Sequence, residues 1–277
     1  MMKRSDLRIR DPFVLSDTEA GCYYMYGTMD LKEGSYETAP TFSVCKSYNL
    51  EEFEEPKVIF DATKLNFWAN EDFWAPEVHK YNGRYYLFGS LKAEGRCRAT
   101  HIFVCNTPDG EFVPVSEKPI TPPDWECLDG TFFVENGTPY MVFCHEWVQV
   151  KDGEIWAVEL TQDLTRPADK PFMIFKASDN PKVSELNLGT GNYVTDGPFL
   201  YHENGKVKMI WSSFFDGRYL VLEAESDSLH GNWTHKGSKF DFDGGHAMIF
   251  TTLKGKRMIS LHAPNITGFE RAVFYEL

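Results

Sequence analysis

The sequence predicts an all-β fold, a five-bladed β-propeller whose four-stranded antiparallel blades surround a central channel. Three observations predict it. A passage recurs five times along the 277 residues: a short polar or tight-turn motif, an apolar strand, a turn and a second apolar strand. Three of the turns are Asn-Gly, the strongest short hairpin signal, because both central residues of that turn need positive φ. No stretch sustains a 3.6-residue apolar period, so helices contribute little. A strand-only repeat of about 50–60 residues is the mark of a propeller blade. The length suits five blades in one domain spanning residues 1–277.

The copies follow in order. The first is Asp11-Pro-Phe-Val-Leu with Tyr23-Tyr-Met-Tyr-Gly-Thr28. The second is Trp74-Ala-Pro-Glu-Val with Tyr85-Tyr-Leu-Phe-Gly-Ser90, joined by Tyr81-Asn-Gly83. Asp129-Gly-Thr-Phe-Phe and Tyr140-Met-Val-Phe143 flank Glu135-Asn-Gly137, and Asp196-Gly-Pro-Phe-Leu and Met209-Ile-Trp-Ser212 flank Glu203-Asn-Gly205. The last pairs Gly245-His-Ala-Met-Ile with Met258-Ile-Ser-Leu261 across Leu253-Lys-Gly255. The segment from Leu160 to Asn192 has the weakest pattern, while Asp163-Leu-Thr and Asp227-Ser-Leu-His-Gly-Asn-Trp233 suit turns between outer strands. The closing Glu270-Arg-Ala-Val-Phe-Tyr-Glu-Leu277 is a strand that completes the last blade or closes the ring onto the first. If each blade's innermost strand begins at its motif, Asp11, Asp129, Asp196 and His246 meet at the axis.

A formal net charge of −13 argues against nucleic-acid binding, which needs a basic footprint. Aromatics make up 15% of residues; strand cores account for most, and a minority could stack on sugar rings. No apolar run is long enough to cross a membrane, and the opening Met-Met-Lys-Arg lacks the apolar core of a secretory signal. The six cysteines, at 22, 45, 97, 105, 127 and 144, show no CxxC spacing. They read as buried free thiols of a reducing compartment, so a cytoplasmic protein is expected. A monomer and a homo-oligomer are equally open.

The same motifs carry a resemblance. Arg10-Asp-Pro-Phe-Val, Trp74-Ala-Pro-Glu-Val78, Leu128-Asp-Gly-Thr-Phe-Phe, Thr195-Asp-Gly-Pro-Phe, Gly245-His-Ala-Met and His262-Ala-Pro-Asn stand in the order found in glycoside hydrolase family 43. The chain resembles those five-bladed propeller enzymes, which remove arabinose or xylose with inversion, over nearly its whole length. The resemblance implies an oligosaccharide substrate and hydrolysis of an α-L-arabinofuranosyl or β-D-xylosyl bond. It implies no organic cofactor. Inversion needs one carboxylate to activate water and one carboxylic acid to protonate the leaving oxygen, roughly 6.5–9.5 Å apart. By resemblance Asp11 is the base and Asp129 the carboxylate that tunes the acid and holds the sugar. Asp196 stands where the family usually has Glu, and its carboxyl falls back by about 1.5 Å, one C–C bond. Glu146, in Cys144-His-Glu-Trp147, is the second candidate for the acid. His246 is expected to contact a calcium or sodium ion in the channel, or else to be a buried His bonded to a carbonyl. Trp74 resembles the aromatic wall of the sugar subsite and serves blade packing equally well. Phe73, Trp147 and Phe214 are further aromatic candidates, and Arg271 is a candidate sugar contact or one half of a surface Glu–Arg pair. His145 and His262, at strand ends, suit either the site or packing.

Other classes of protein fit less. A retaining fructoside-cleaving propeller would share Arg10-Asp-Pro and Glu126-Cys127, but its Asn-Asp-Pro nucleophile motif does not occur here. Retention would also bring the carboxyls to about 5 Å. A sugar-binding propeller without catalysis needs aromatic walls but not three axial carboxylates, whose like charges oppose one another; the Glu-to-Asp change keeps it open. A plain interaction scaffold has no use for polar residues at the repeat starts.

Overall fold

The computed structural model describes residues 1–29, 31 and 35–277. Five antiparallel sheets follow one another along the chain. Their first strands are Arg10–Asp17, Glu71–Tyr81, Cys127–Glu135, Asp196–Glu203 and Gly245–Thr251. Each packs against the first strand of the next blade, and the fifth packs against the first, so the five close a ring around the axis. Blades two, three and four are four-stranded meanders. Blade five has three strands, and blade one has six because two-residue strands at Met2–Lys3 and Glu52–Phe53 extend its edge. The outermost strand of blade three, Phe172–Lys176, lies in the segment where the sequence pattern is weakest.

The last strand, Arg271–Glu276, does both things expected of it. It is the third strand of blade five, and Arg271 bridges to Arg8 while the Ile9 amide donates to the Glu270 carbonyl at 3.4 Å. Glu270 is fully buried and takes Arg10 at 3.1 Å and Arg8 at 3.5 Å. The ring is thus shut by backbone pairing and by one buried carboxylate between two cations.

The hairpin reading holds in detail. Asn82-Gly83, Asn136-Gly137 and Asn204-Gly205 all have positive φ at both residues, the turn whose twist matches the strands. At Lys254-Gly255 only the glycine does. Apolar faces alternate into four clusters wedged within and between blades, with Trp211, Tyr26, Phe42 and Phe103 among the largest fully buried side chains.

The start of every blade carries the same irregularity. Pairing jumps from Arg10–Thr28 to Phe13–Tyr26, from Trp74–Ser90 to Glu77–Phe88, and from Leu128–Cys144 to Thr131–Val142. It jumps likewise from Asp196–Ser212 to Phe199–Ile210 and from Gly245–His262 to Met248–Ser260. The residue after each first pair is left-handed: Asp11 (φ 54°), Ala75 (45°), Asp129 (56°), Gly197 (48°) and His246 (52°). These are β-bulges, and in blades one, three and five they turn Asp11, Asp129 and His246 into one pocket. They also correct the repeat alignment. Asp196 does not share the position of Asp11 and Asp129; it stands one residue earlier, with Arg10, Trp74, Leu128 and Gly245.

Candidate active site

The bulges build a pocket of about 280 Å³ in two tiers. Arg10, Trp74, Leu128 and Asp196, the paired residues before the bulges, line its wall. Asp11, Asp129 and His246, the bulge residues, also line it and are buried. The fifth wall position is Gly245, and a Cβ there would overlap the Tyr219 ring. The glycine therefore admits Tyr219, whose hydroxyl donates to Asp196 Oδ2 at 3.0 Å. Tyr36, Leu31, Thr28, Glu146 and Trp147 complete the lining.

Each bulge must find a partner for an amide that has left the ladder. Four do so in one way, through the second strand of the preceding blade. Thr28 Oγ1 accepts from the Ala75 amide at 2.8 Å, Ser90 Oγ from Asp129 at 2.9 Å, and Ser212 Oγ from His246 at 2.8 Å. His262 Nδ1 accepts from the Asp11 amide at 3.2 Å. That nitrogen therefore carries no proton, in agreement with burial and Arg10 lowering the His262 pKa.

The three aspartates sit in different fields. Burial opposes ionisation of Asp11, yet His246 (Nδ1 to Oδ1 3.2 Å) and Arg10 hold its pKa well below the usual carboxylate range. Thr28 Oγ1 also donates to its Oδ2 at 2.6 Å. Asp11 is thus a carboxylate throughout the neutral range. Burial, with Asp129 next to it, pushes Asp196 up to about 7, and Tyr219 and His246 pull the other way. Asp129 is pushed up to about 6 by burial and by Asp11, against His246 and the Gly197 amide. One ionised carboxylate and one acid that keeps its proton near neutrality therefore share a water-accessible pocket.

Glu146 lines the same pocket and is held by a cation. Its Oε2 takes Nη1 of the buried Arg98, whose Nη2 reaches Asp72 Oδ2 at 2.8 Å. Burial raises the Glu146 pKa, and the guanidinium opposes that. The same guanidinium lies 4.3 Å over the Trp74 ring, so Glu146 fixes the pocket wall through Arg98.

Trp74 and Trp147 line the pocket as expected. Phe73 does not: it is buried in the first core cluster, 5.2 Å from Phe42, because strand alternation sends it away from Trp74's face. Phe214 packs on Tyr219 at 5.4 Å and supports that ring rather than lining the pocket. Arg271 is spent on the Ser5 and Glu270 carbonyls at 2.8 and 2.7 Å, in the seam that closes the ring. His145 stacks on Trp125 at 4.4 Å beside Glu154 and is not part of the lining. His246 lies against two carboxylates. Its Nδ1 faces Asp11 and, at 3.7 Å, Asp129, and these carboxylates raise its pKa against burial. Among the described residues no group of three or more His, Cys, Asp or Glu is arranged to hold a metal.

Arg10, Tyr36 and Tyr219 were not singled out from the sequence. Arg10 lies beside a recognised Asp-Pro, and its guanidinium sits 4.9 Å over Tyr36 and donates to Asn265 Oδ1 at 2.9 Å. The signal for the wall tier was the Pro after three of the bulges, at 12, 76 and 198, which aligns Asp196 with Arg10 and Trp74.

A five-bladed propeller with carboxylates gathered at one mouth of its axis is a glycosidase architecture in the family resembled. The sequence matches Glycosyl hydrolases family 43 over residues 5–275, and the chain belongs to that family. It is 40% identical to the endo-arabinase from Bacteroides thetaiotaomicron VPI-5482, with a TM-score of 0.91 over 100% of this chain and 96% of that one. A thermostable family-43 glycoside hydrolase, 23% identical with a TM-score of 0.81 over 97% of this chain and 89% of that one, shares the fold. Among relatives, alpha-L-arabinofuranosidase 43 of Humicola insolens is 25% identical over 80% of this chain but only 45% of that enzyme. The extracellular endo-alpha-(1->5)-L-arabinanase 1 of Bacillus subtilis (strain 168) is 23% identical over 87% of this chain and 72% of its own length. This chain thus spans less than half the length of the Humicola enzyme.

Proposed function

We propose that this chain hydrolyses α-L-arabinofuranosyl linkages in arabinan-type oligosaccharides or polysaccharides, with inversion at the anomeric carbon. The observation that carries the reading is the unequal pair: Asp11 held ionised and Asp196 holding a proton near neutral pH in one pocket. Water activated by Asp11 attacks the anomeric carbon, and Asp196 gives its proton to the departing glycosidic oxygen. Asp129, charged and buried beside Asp196, raises the proton affinity of the acid. Arg10, Trp74 and Trp147 hold the sugar from the wall, and His246 balances the two ionised aspartates. Arabinose rather than xylose, and internal rather than terminal bonds, are supported by the 40% identity to an endo-arabinase across 96% of that chain.

The test is hydrolysis of linear α-1,5-arabino-oligosaccharides, debranched arabinan and the nitrophenyl α-L-arabinofuranoside and β-D-xyloside, with products followed by proton NMR. The expected result is cleavage of the arabinan chain to short oligomers whose new reducing ends first appear as the β anomer. Release of arabinose alone would make the chain exo-acting. No cleavage of any arabinoside would leave a sugar-binding propeller, the reading that the shorter Asp196 keeps open.

A further inference from the structure

One of the five bulges breaks the pattern of the others. In blades one, two, four and five the second-strand residue opposite the wall position is Thr28, Ser90, Ser212 or His262, and its oxygen or nitrogen accepts the next blade's bulge amide. In blade three that residue is Cys144, paired with Leu128 and fully buried. A thiol sulfur is a weak acceptor. The next bulge amide, Gly197 N–H, goes instead to Asp129 Oδ2 at 2.9 Å. Among the described residues this is the only hydrogen bond the Asp129 carboxylate receives within 3.5 Å; His246 Nδ1 stands off at 3.7 Å. Gly197 itself is fixed by space, because a Cβ there would lie 2.7 Å from the His246 ring and its φ is +48°.

We infer that Cys144 is a positioning residue for the site: by offering no oxygen where the other blades offer one, it leaves the Gly197 amide to Asp129 and so anchors that carboxylate between His246 and Asp196. The inference rests on the proposed function for its kinetic consequence, but not for the hydrogen bond itself. An oxygen at position 144 would stand where Thr28, Ser90 and Ser212 stand and would take the amide. Asp129 would then lose the backbone amide and keep at most a hydroxyl contact of the kind Thr28 Oγ1 makes with Asp11 Oδ2, so its tie to the bulge of blade four would be broken. The groups facing Asp129 are Asp11, Asp196, His246 and Glu146.

The test compares Cys144→Ser with Cys144→Ala. Alanine also withholds an oxygen, so it keeps the wild-type arrangement and costs only packing. In wild type and Cys144→Ala the Gly197 amide resonance in ¹⁵N-labelled protein moves as the carboxylates titrate; in Cys144→Ser it stops doing so. On arabino-oligosaccharides the serine variant loses roughly tenfold in kcat with little change in KM, the scale of one hydrogen bond to a charged group. The alanine variant stays within about twofold of wild type. Serine and alanine variants that behave alike, or a serine variant whose Gly197 amide still follows the carboxylates, would overturn the assignment. If the serine variant does not fold, alanine decides alone: an amide that no longer titrates in Cys144→Ala contradicts the inference. If wild type cleaves no arabinoside, the functional proposal fails, and the amide titration still decides the role of Cys144.

Discussion

The two ends of the central channel are built from the same five strands and are filled by opposite means. At the mouth, the bulge residues bring three charged side chains together, Asp11, Asp129 and His246, with hydrogen bonds to each bulge amide. A few residues further along the same strands, rings pack against one another. Phe13 packs on His79 at 4.9 Å and near Phe199 at 6.4 Å, and His79 meets Phe132 at 5.7 Å. The mouth stores charge in low-dielectric surroundings and is expensive to keep; the packed rings bury apolar area and stabilise the propeller. The division predicts that changes at the mouth alter the reaction, and changes at the packed rings alter stability.

The largest effect should come from Asp11→Ala. Removing the base should lower kcat on arabino-oligosaccharides by on the order of 10²–10⁴-fold, read from initial rates, while circular dichroism remains that of the wild type. A variant within tenfold of wild type would break the assignment of the mouth to catalysis. Glu146→Gln sharpens the comparison within the mouth. It leaves Arg98 facing only Asp72 in a buried site and should cost about 3–5 kcal/mol in denaturant unfolding. The pH at which activity falls on the alkaline side should move slightly downward, because the Glu146 charge helps to raise the Asp196 pKa; loss of that limb altogether would make Glu146 the proton carrier. Phe132→Ala opens the packed rings, and its half-buried ring should cost about 2 kcal/mol of stability with kcat/KM unchanged for the folded enzyme. The smallest effect concerns pH. Activity should be lost as pH rises through about 7, where Asp196 gives up its proton. Tyr219 donates to the Asp196 carboxylate and lowers its pKa, so Tyr219→Phe should move that alkaline limb upward, by about one pH unit or less. A downward shift would mean that the tyrosine stabilises the acid form.

Much of this molecule could be read from its sequence because propeller blades are local objects. Each hairpin is specified by its own alternation and its own turn, Asn-Gly in three of the five, so blade number and strand order needed no long-range knowledge. Asp11 and Asp129 were readable for the same reason, since both bulges begin blades. Asp196 was readable as a site residue but not in its register, because Asp-Gly-Pro looks like Asp-Pro until the prolines are aligned. What the sequence could not supply were contacts between blades. Tyr219 reaches the acid only because Gly245, 26 positions on, lacks a side chain. Arg98 lies in a loop with no motif and meets Glu146 across two blades. Phe73 and Arg271 were plausible by neighbourhood, and strand alternation and ring closure claimed them instead.

The most direct test of the central claim, that Asp196 is the acid and Asp11 the base, is the leaving-group dependence of Asp196→Ala. A nitrophenyl leaving group needs little protonation, whereas a sugar needs much. Asp196→Ala should therefore retain far more activity on nitrophenyl α-L-arabinofuranoside than on arabino-oligosaccharide, with a ratio shifted by on the order of 10²-fold from wild type, and its alkaline limb should disappear. Equal losses on both substrates, with the limb still in place, would contradict the account and move the proton to another carboxyl.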